Sequence, residues 1–312
     1  MRGILDCPLR LDSVARSRCC YNGCMTRSDS RSVPPRADAE RDYVLGTHDD
    51  EIRRLGFQHG VWRDEVHRAW NDAGIIEGAA VGDFGAGPGF ASLDLARLVG
   101  PRGRVVAIER SARFLSALAE QAAAADLDHI TTVEADLMHD GLMQGNPSLT
   151  NLDAIWCRWV SCFVPDVGRL VDQFARTLKR GGVVVLHEYV EYSSFQIVPP
   201  RSAITEFVAA VYESWRAQGG EPDVARILPR LLVDRGFSIR SARPIAFAAR
   251  PGETAWNWPA GFVRTNAPRL VELGVRNEAW AAEVLRAVDE AEHDPASIFV
   301  TPTVLEIIAE KL

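Results

Sequence analysis

The chain has 312 residues, 47% apolar and 25% charged, with 24 glycines and 17 prolines. These values exclude wholesale disorder, collagen-like repetition and a membrane bundle, and the length allows one elaborated domain or two small ones. A net charge of −7 opposes a nucleic-acid partner, which asks for a basic stripe, and the longest apolar runs fall far short of the ~20 residues that cross a bilayer.

Residues 1–36 stand apart. They carry seven arginines against three aspartates and run out in Ser32-Val33-Pro34-Pro35, without helical or strand periodicity. Asp6, Pro8 and Arg10 interrupt the apolar stretch that a secretory signal would need. Residues 1–40 are read as a disordered or non-native extension, with Met25 as the natural start. Cys7, Cys19, Cys20 and Cys24 all fall in it, with no C-x-x-C pair, whereas Cys157 and Cys162 sit in apolar company and read as buried thiols. Lys179 and Lys311 are the only lysines. The arginine bias and abundant alanine suggest a GC-rich bacterial genome, and a reducing cytoplasm is the simplest location.

From Thr47 the pattern turns helical. Thr47 and Asp50 resemble a capping box, Ile52, Leu55, Trp62, Val66, Ala69 and Ala73 follow near-3.6 spacing, and Gly74 ends a helix placed at 48–73. Strands at 79–84, 104–108, 130–134, 153–157 and 183–186 then alternate with helices at 90–98, 112–125 and 167–177. Strict alternation implies βαβ units and a parallel sheet. Beyond 190 come helices at 203–218 and 224–234, a strand at 237–246, an aromatic and Pro-rich stretch at 254–268, helices around 269–291, and a strand at 304–309. The expected fold is α/β: a doubly wound, mostly parallel seven-stranded sheet with helices on both faces. Residues 41–75 would form a helical lid, 76–190 a ligand-binding core, and 191–312 the rest of the sheet with helical insertions that cap the substrate.

The most informative segment is Val81-Gly82-Asp83-Phe84-Gly85-Ala86-Gly87-Pro88-Gly89-Phe90, between the first strand and helix. A dinucleotide turn reads G-x-G-x-x-G, which would place its third glycine at residue 90, where Phe90 stands. Glycines at 85, 87 and 89 after Asp83 suit a ligand with no pyrophosphate.

This segment resembles the first motif of the class I S-adenosylmethionine-dependent methyltransferases, an acid on the strand followed by G-x-G-x-G. Four further segments match in order. Val105-Val106-Ala107-Ile108-Glu109 ends in an acid like the one that holds the ribose hydroxyls, with Arg110 following. In Val133-Glu134-Ala135-Asp136-Leu137, Asp136 resembles the acceptor from the adenine amino group, and Leu137 lies beside the ring. Leu152 to Trp159 is similar to the fourth motif, and Leu178-Lys179-Arg180-Gly181-Gly182 to the turn before strand five. Tyr43 to Gly46 and Arg54 to Gln58 look like the upstream segment of a branch of bacterial small-molecule methyltransferases. The resemblance implies S-adenosylmethionine as cofactor and S-adenosylhomocysteine as product. Asp83, Gly85, Ala86, Gly87, Gly89, Glu109, Arg110, Asp136, Leu137, Arg158, Tyr43 and Gln58 are then its expected contacts.

Methyl transfer from a sulfonium is an in-line displacement, so positioning dominates and a base assists only some acceptors. Strand five ends His187-Glu188-Tyr189, and His187 or Glu188 is the expected base. Trp159, Phe163, Tyr189, Tyr192, Trp258, Phe262 and Arg264 are expected in the substrate pocket, although Trp159 and Phe163 read equally well as core. His59, beside Gln58, is a candidate to face the cofactor. No metal-ligand spacing is present. A small-molecule methyl acceptor is expected, with no nucleic-acid or membrane partner and no indication of oligomeric state. An NAD(P)-dependent oxidoreductase and a non-catalytic S-adenosylmethionine-binding protein are the alternatives.

Overall fold

The computed structural model describes residues 48–138, 142 and 146–312. Tyr43 and Thr47, and with them the capping box, lie outside those residues. Helix α1, Asp49–Ala73, is capped instead by His48, whose Nδ1 accepts from the Glu51 amide. A further expected feature holds at the other end, where Gly74 closes the helix with φ of 80°.

The alternation then runs β1 (Ala80–Phe84), α2 (Phe90–Val99), β2 (Arg104–Glu109), α3 (Ala112–Ala124), β3 (Ile130–Glu134), β4 (Leu152–Arg158), α4 (Val167–Thr177) and β5 (Leu178–Glu191). The second half adds β6 (Gln196–Val198), α5 (Ser202–Ala217), α6 (Leu228–Asp234), β7 (Phe237–Ile245), β8 (Ala248–Ala249), α7 (Asn257–Glu272), α8 (Glu278–Glu292), β9 (Ile298–Val300) and β10 (Thr303–Lys311). Seven strands form one sheet in the order β3-β2-β1-β4-β5-β10-β7, in which β10 alone runs antiparallel to its neighbours. The chain builds outward from β1 to β3 and then returns to β1's other side with β4. The strand order therefore reverses between β1 and β4, and ligands bind outside the strand carboxyl ends at such a point.

Three features differ from the sequence expectation. Strand β5 extends far beyond its apolar run 183–186 because β4 and β10 pair with it on either side. The aromatic and Pro-rich stretch after residue 254, to which the sequence pattern assigns no element, is mostly helix. Trp258, Ala260, Val263, Ala267 and Leu270 are buried along α7, and their packing outweighs the cost of Pro268 inside the helix. A second sheet, β6-β9-β8, pairs β9 with one strand about 100 residues and another about 50 residues earlier in the chain. Its strands of two or three residues are too short to show a period.

Helix α1 packs on the sheet through Trp62, Val66, Ala69 and Trp70, all fully buried. Trp70 meets Trp156 of β4 edge-on at 5.5 Å, and Trp62 meets Trp258 of α7 at 5.1 Å. These contacts bring the N-terminal helix and the C-terminal insertion together above the strand ends.

Candidate active site

The glycine turn follows β1 at the reversal point. Asp83 is buried at the end of β1, where it accepts from Ser92 Oγ at 2.6 Å, and burial raises its pKa to about 6. Gly85 and Ala86 amides donate to the Ile108 carbonyl, each at 2.9 Å. Glu109, at the end of β2, clamps the turn: its Oε2 accepts from the Gly87 amide at 3.0 Å, and its Oε1 from the Arg110 and Ser111 amides at 2.9 and 3.0 Å. Burial nonetheless pushes the Glu109 carboxyl above its ordinary pKa.

The three glycines do different things. A Cβ at Gly85 would stand 2.3 Å from Val160 Cγ2, and one at Gly89 2.3 Å from Leu118 Cδ1, so both positions are fixed by protein packing. A Cβ at Gly87 meets nothing within 4 Å. Gly85 and Gly87 line the cavity beside the turn, but Gly89 faces α3 and does not, which removes it from the expected ligand contacts.

That cavity measures about 680 Å³, within the ~300–1,000 Å³ range of ligand sites. Strand-end residues Asp83, Ala86, Glu109, Arg110, Asp136 and Leu137 line one part. Asp136 uses Oδ1 to accept from the Met138 amide at 2.8 Å. Arg54, Leu55, Gln58 and His59 enter from α1. Gln58 ties α1 to α7 as its Oε1 accepts from Trp258 Nε1 at 3.0 Å and from Arg54 at 3.1 Å. Arg54 is otherwise paired with Glu51 through two bonds. Trp159, Phe163, Tyr189, Tyr192, Trp258 and Phe262 are among the residues that line the rest.

Arg158, the last residue of β4, reaches the middle of this wall. Its guanidinium lies 4.9 Å from the Trp159 ring and 5.7 Å from that of Trp156, and Nη2 is 3.2 Å from His59 Nδ1. A guanidinium can only donate, so Nδ1 is the unprotonated nitrogen and Nε2–H points to Asp94 Oδ2 at 3.1 Å. Burial depresses the His59 pKa, consistent with that neutral ring. Asp94 also accepts from Arg63, His67 and Arg97. Burial alone would raise its pKa, but donation from His59, Arg63 and His67 holds the carboxyl well below its ordinary value. Burial lowers the Arg158 pKa to about 10, and its buried Nη1 has no hydrogen-bond partner among the described residues. The Asp94 hub went unread in the sequence. The only signal was an acid among the apolar positions of Phe90-Ala91-Ser92-Leu93-Asp94-Leu95.

The base expected at the end of β5 is not presented to the cavity. His187 is fully buried, with Nε2 3.0 Å from Glu306 Oε2 and its ring 4.8 Å from that of Trp156. Glu188, also fully buried, accepts from the Val160 and Ser161 amides through Oε1 at 2.9 and 2.8 Å, and burial raises its pKa to about 7. Neither residue lines the cavity. Glu188 instead holds the turn after Trp159, which itself adopts φ of 51° and donates its amide to the His187 carbonyl at 3.0 Å. Arg264 is turned away as well, paired with Asp289 and Glu292 on α8. Cys157 and Cys162 are buried free thiols. Among the described residues no cluster of His, Cys, Asp or Glu is placed to hold a metal, and no helix is long and apolar enough to cross a membrane.

Residues 82–186 match the family described as a methyltransferase domain. Three solved structures are similar in fold. A geranyl diphosphate C-methyltransferase from Streptomyces coelicolor A3(2), solved with Mg2+, geranyl diphosphate and S-adenosyl-L-homocysteine, is 13% identical over 85% of each chain, with a TM-score of 0.50. A protein of Galdieria sulphuraria provisionally assigned as a sarcosine dimethylglycine methyltransferase is 15% identical over 80% of this chain and 83% of its own, with a TM-score of 0.52. A Bacillus halodurans C-125 protein provisionally assigned as a methyltransferase is 16% identical over 80% of this chain and 99% of its own, also at 0.52. The match and the sheet order agree on the Rossmann-like methyltransferase fold.

Proposed function

We propose that this chain, which matches a methyltransferase domain over residues 82–186 and shares its fold with the solved structures above, is an S-adenosylmethionine-dependent methyltransferase that methylates a small organic molecule held against the aromatic half of the cavity. When bound, S-adenosylmethionine supplies an electrophilic methyl group and leaves as S-adenosylhomocysteine. The rest of the mechanism lies in what these residues hold.

Their fit to the cofactor is supported by two features of different sign. Glu109 is a buried acid whose Oε1 is filled by two amides but whose Oε2 keeps one acceptor site beyond its bond from Gly87, so it can accept from one ribose hydroxyl. Arg158 keeps a buried donor without a partner, which a methionine carboxylate would satisfy. That unpaired Nη1, on an arginine already oriented by His59, is the observation that carries the reading. Asp136 and Leu137 would then meet the adenine, and Asp83 and the Gly85–Gly87 backbone the methionine end. Gln58 and Arg54 would close the site from α1.

The acceptor would be placed rather than strongly activated. His187 and Glu188 are engaged inside the protein, and burial raises the Tyr189 and Tyr192 pKa values well above the phenol range, so both stay protonated. Orientation and water exclusion by the surrounding rings remain, and well-oriented placement supplies up to ~7–11 kcal/mol of a barrier. Calorimetric titration of the intact protein with S-adenosylmethionine tests the cofactor site. Binding that survives unchanged in Arg158→Ala and Glu109→Ala would sink it.

A further inference from the structure

The acceptor half of the cavity has a chemical character of its own. Phe163, Tyr189, Tyr192, Trp215, Trp258 and Phe262 all line it and come from five separate segments of the chain. Four of the rings form a continuous wall: Phe163 meets Trp215 at 4.5 Å, Trp215 meets Tyr192 at 5.4 Å, and Tyr192 meets Tyr189 at 4.9 Å. The charged residues of the cavity lie on α1 or at the ends of β1 to β4, and among them Arg158 alone has a buried side-chain nitrogen without a partner among the described residues, the one assigned above to the cofactor. Arg54 is held by Glu51, and Asp83 accepts from Ser92. Asp136 belongs to the end expected to take adenine.

Charge therefore selects against both kinds of ion. A primary ammonium gains some attraction from the ring faces, but it would give up a strong hydration shell close to Arg54 and Arg158, while the carboxylates of the cavity already accept bonds from Arg54, Ser92 and backbone amides. A carboxylate would find Arg54 committed to Glu51 and Arg158 committed to the cofactor. A neutral ring loses little on leaving water and finds faces and edges to pack on. No hydrogen bond to another described residue ties up the Tyr189 or Tyr192 phenol, so each can serve one polar group.

We propose that the acceptor is an uncharged, ring-bearing apolar molecule lodged in this aromatic chamber. The proposal rests on the cofactor reading above and deepens it. Three probes with one body and different charge test it: 1-naphthalenemethanol, 1-naphthylmethylammonium and 1-naphthoate. Each is titrated into the full chain saturated with S-adenosylhomocysteine, following tryptophan fluorescence. The alcohol should bind at least tenfold tighter than either ion. Phe262→Ala should weaken it about tenfold and leave S-adenosylhomocysteine affinity within twofold. If that variant does not fold, Phe163→Glu, at a half-buried position, should shift preference toward the ammonium. Equal or tighter binding of either ion, or no alcohol binding by a protein that holds S-adenosylhomocysteine, overturns the proposal alone. Failure of S-adenosylhomocysteine itself to bind overturns the cofactor reading and this proposal with it.

Discussion

The two halves of the cavity are built on opposite plans. The half proposed for the cofactor uses short contiguous segments at the ends of β1, β2 and β3, and backbone amides do much of the shaping, as in the clamp from Glu109 to Gly87, Arg110 and Ser111. The aromatic half uses side chains from segments as distant as Phe163 and Phe262, joined only by the fold. A site made of backbone and a few fixed charges, Asp83, Glu109, Asp136 and Arg158, tolerates little variation. A site made of interchangeable rings can change its shape while the other half stays fixed.

Glu109→Ala should break this division most sharply. Removing a charged acceptor costs about 1.5–3 kcal/mol per bond, and the clamp on the Gly87 turn goes with it, so S-adenosylmethionine affinity should fall about 100-fold by calorimetry. Binding of 1-naphthalenemethanol should survive; loss of both would show that the halves are one unit.

Glu188 lies beneath the boundary between them. Its pKa is about 7 against an ordinary 4.5, so the folded state holds the proton more tightly than the unfolded one. The cost of ionising it therefore grows as pH rises from 4.5 to 7 and is fully present above 7, at about 3 kcal/mol. Glu188→Gln removes that cost. Its melting temperature relative to wild type should be higher at pH 8 than at pH 5, by roughly 5 °C or more, and a difference independent of pH would refute buried ionisation.

Arg158→Ala should raise the Kd for S-adenosylmethionine about 10- to 100-fold, the value of one charge-assisted bond. Arg158→Lys should recover only part, because an ammonium cannot donate to His59 and a carboxylate in the same planar geometry. The smallest effect belongs to Arg264→Ala. Its partners are partly exposed acids on α8, so stability should change by less than about 1 kcal/mol, with turnover and S-adenosylmethionine affinity intact. A large drop in turnover would return Arg264 to the pocket.

The same contrast explains what the sequence made legible. Glycine spacing after β1 and the acids ending β2 and β3 are local signals, and the structure brings those residues around one cavity. Six aromatic residues of the cavity are legible in the sequence because they follow β4, end or follow β5, or cluster in the chain, whereas Trp215 on α5 carries no such signal. His187 misled because its partner Glu306 is 119 residues away, on a strand whose pairing with β5 only the fold reveals. Glu188 misled for a related reason: its partners are backbone amides, which leave no residue-type signature. Arg264 groups with the aromatic cluster in the sequence because the pattern assigns no element to 254–268, and only the packing of α7 turns its side chain to Asp289 and Glu292.

The left-handed backbone at Trp159 bears on how this enzyme would diversify. A side chain there costs about 1–3 kcal/mol in strain, and Glu188 and the His187 carbonyl hold the peptide in place. The indole also stacks with Tyr189 and Trp258. Laboratory selection for new acceptors would accordingly accumulate changes at Phe262, on a regular helix turn, and leave position 159 almost untouched. The end of β4 is a fixed hearth around which the furniture of α7 can be moved.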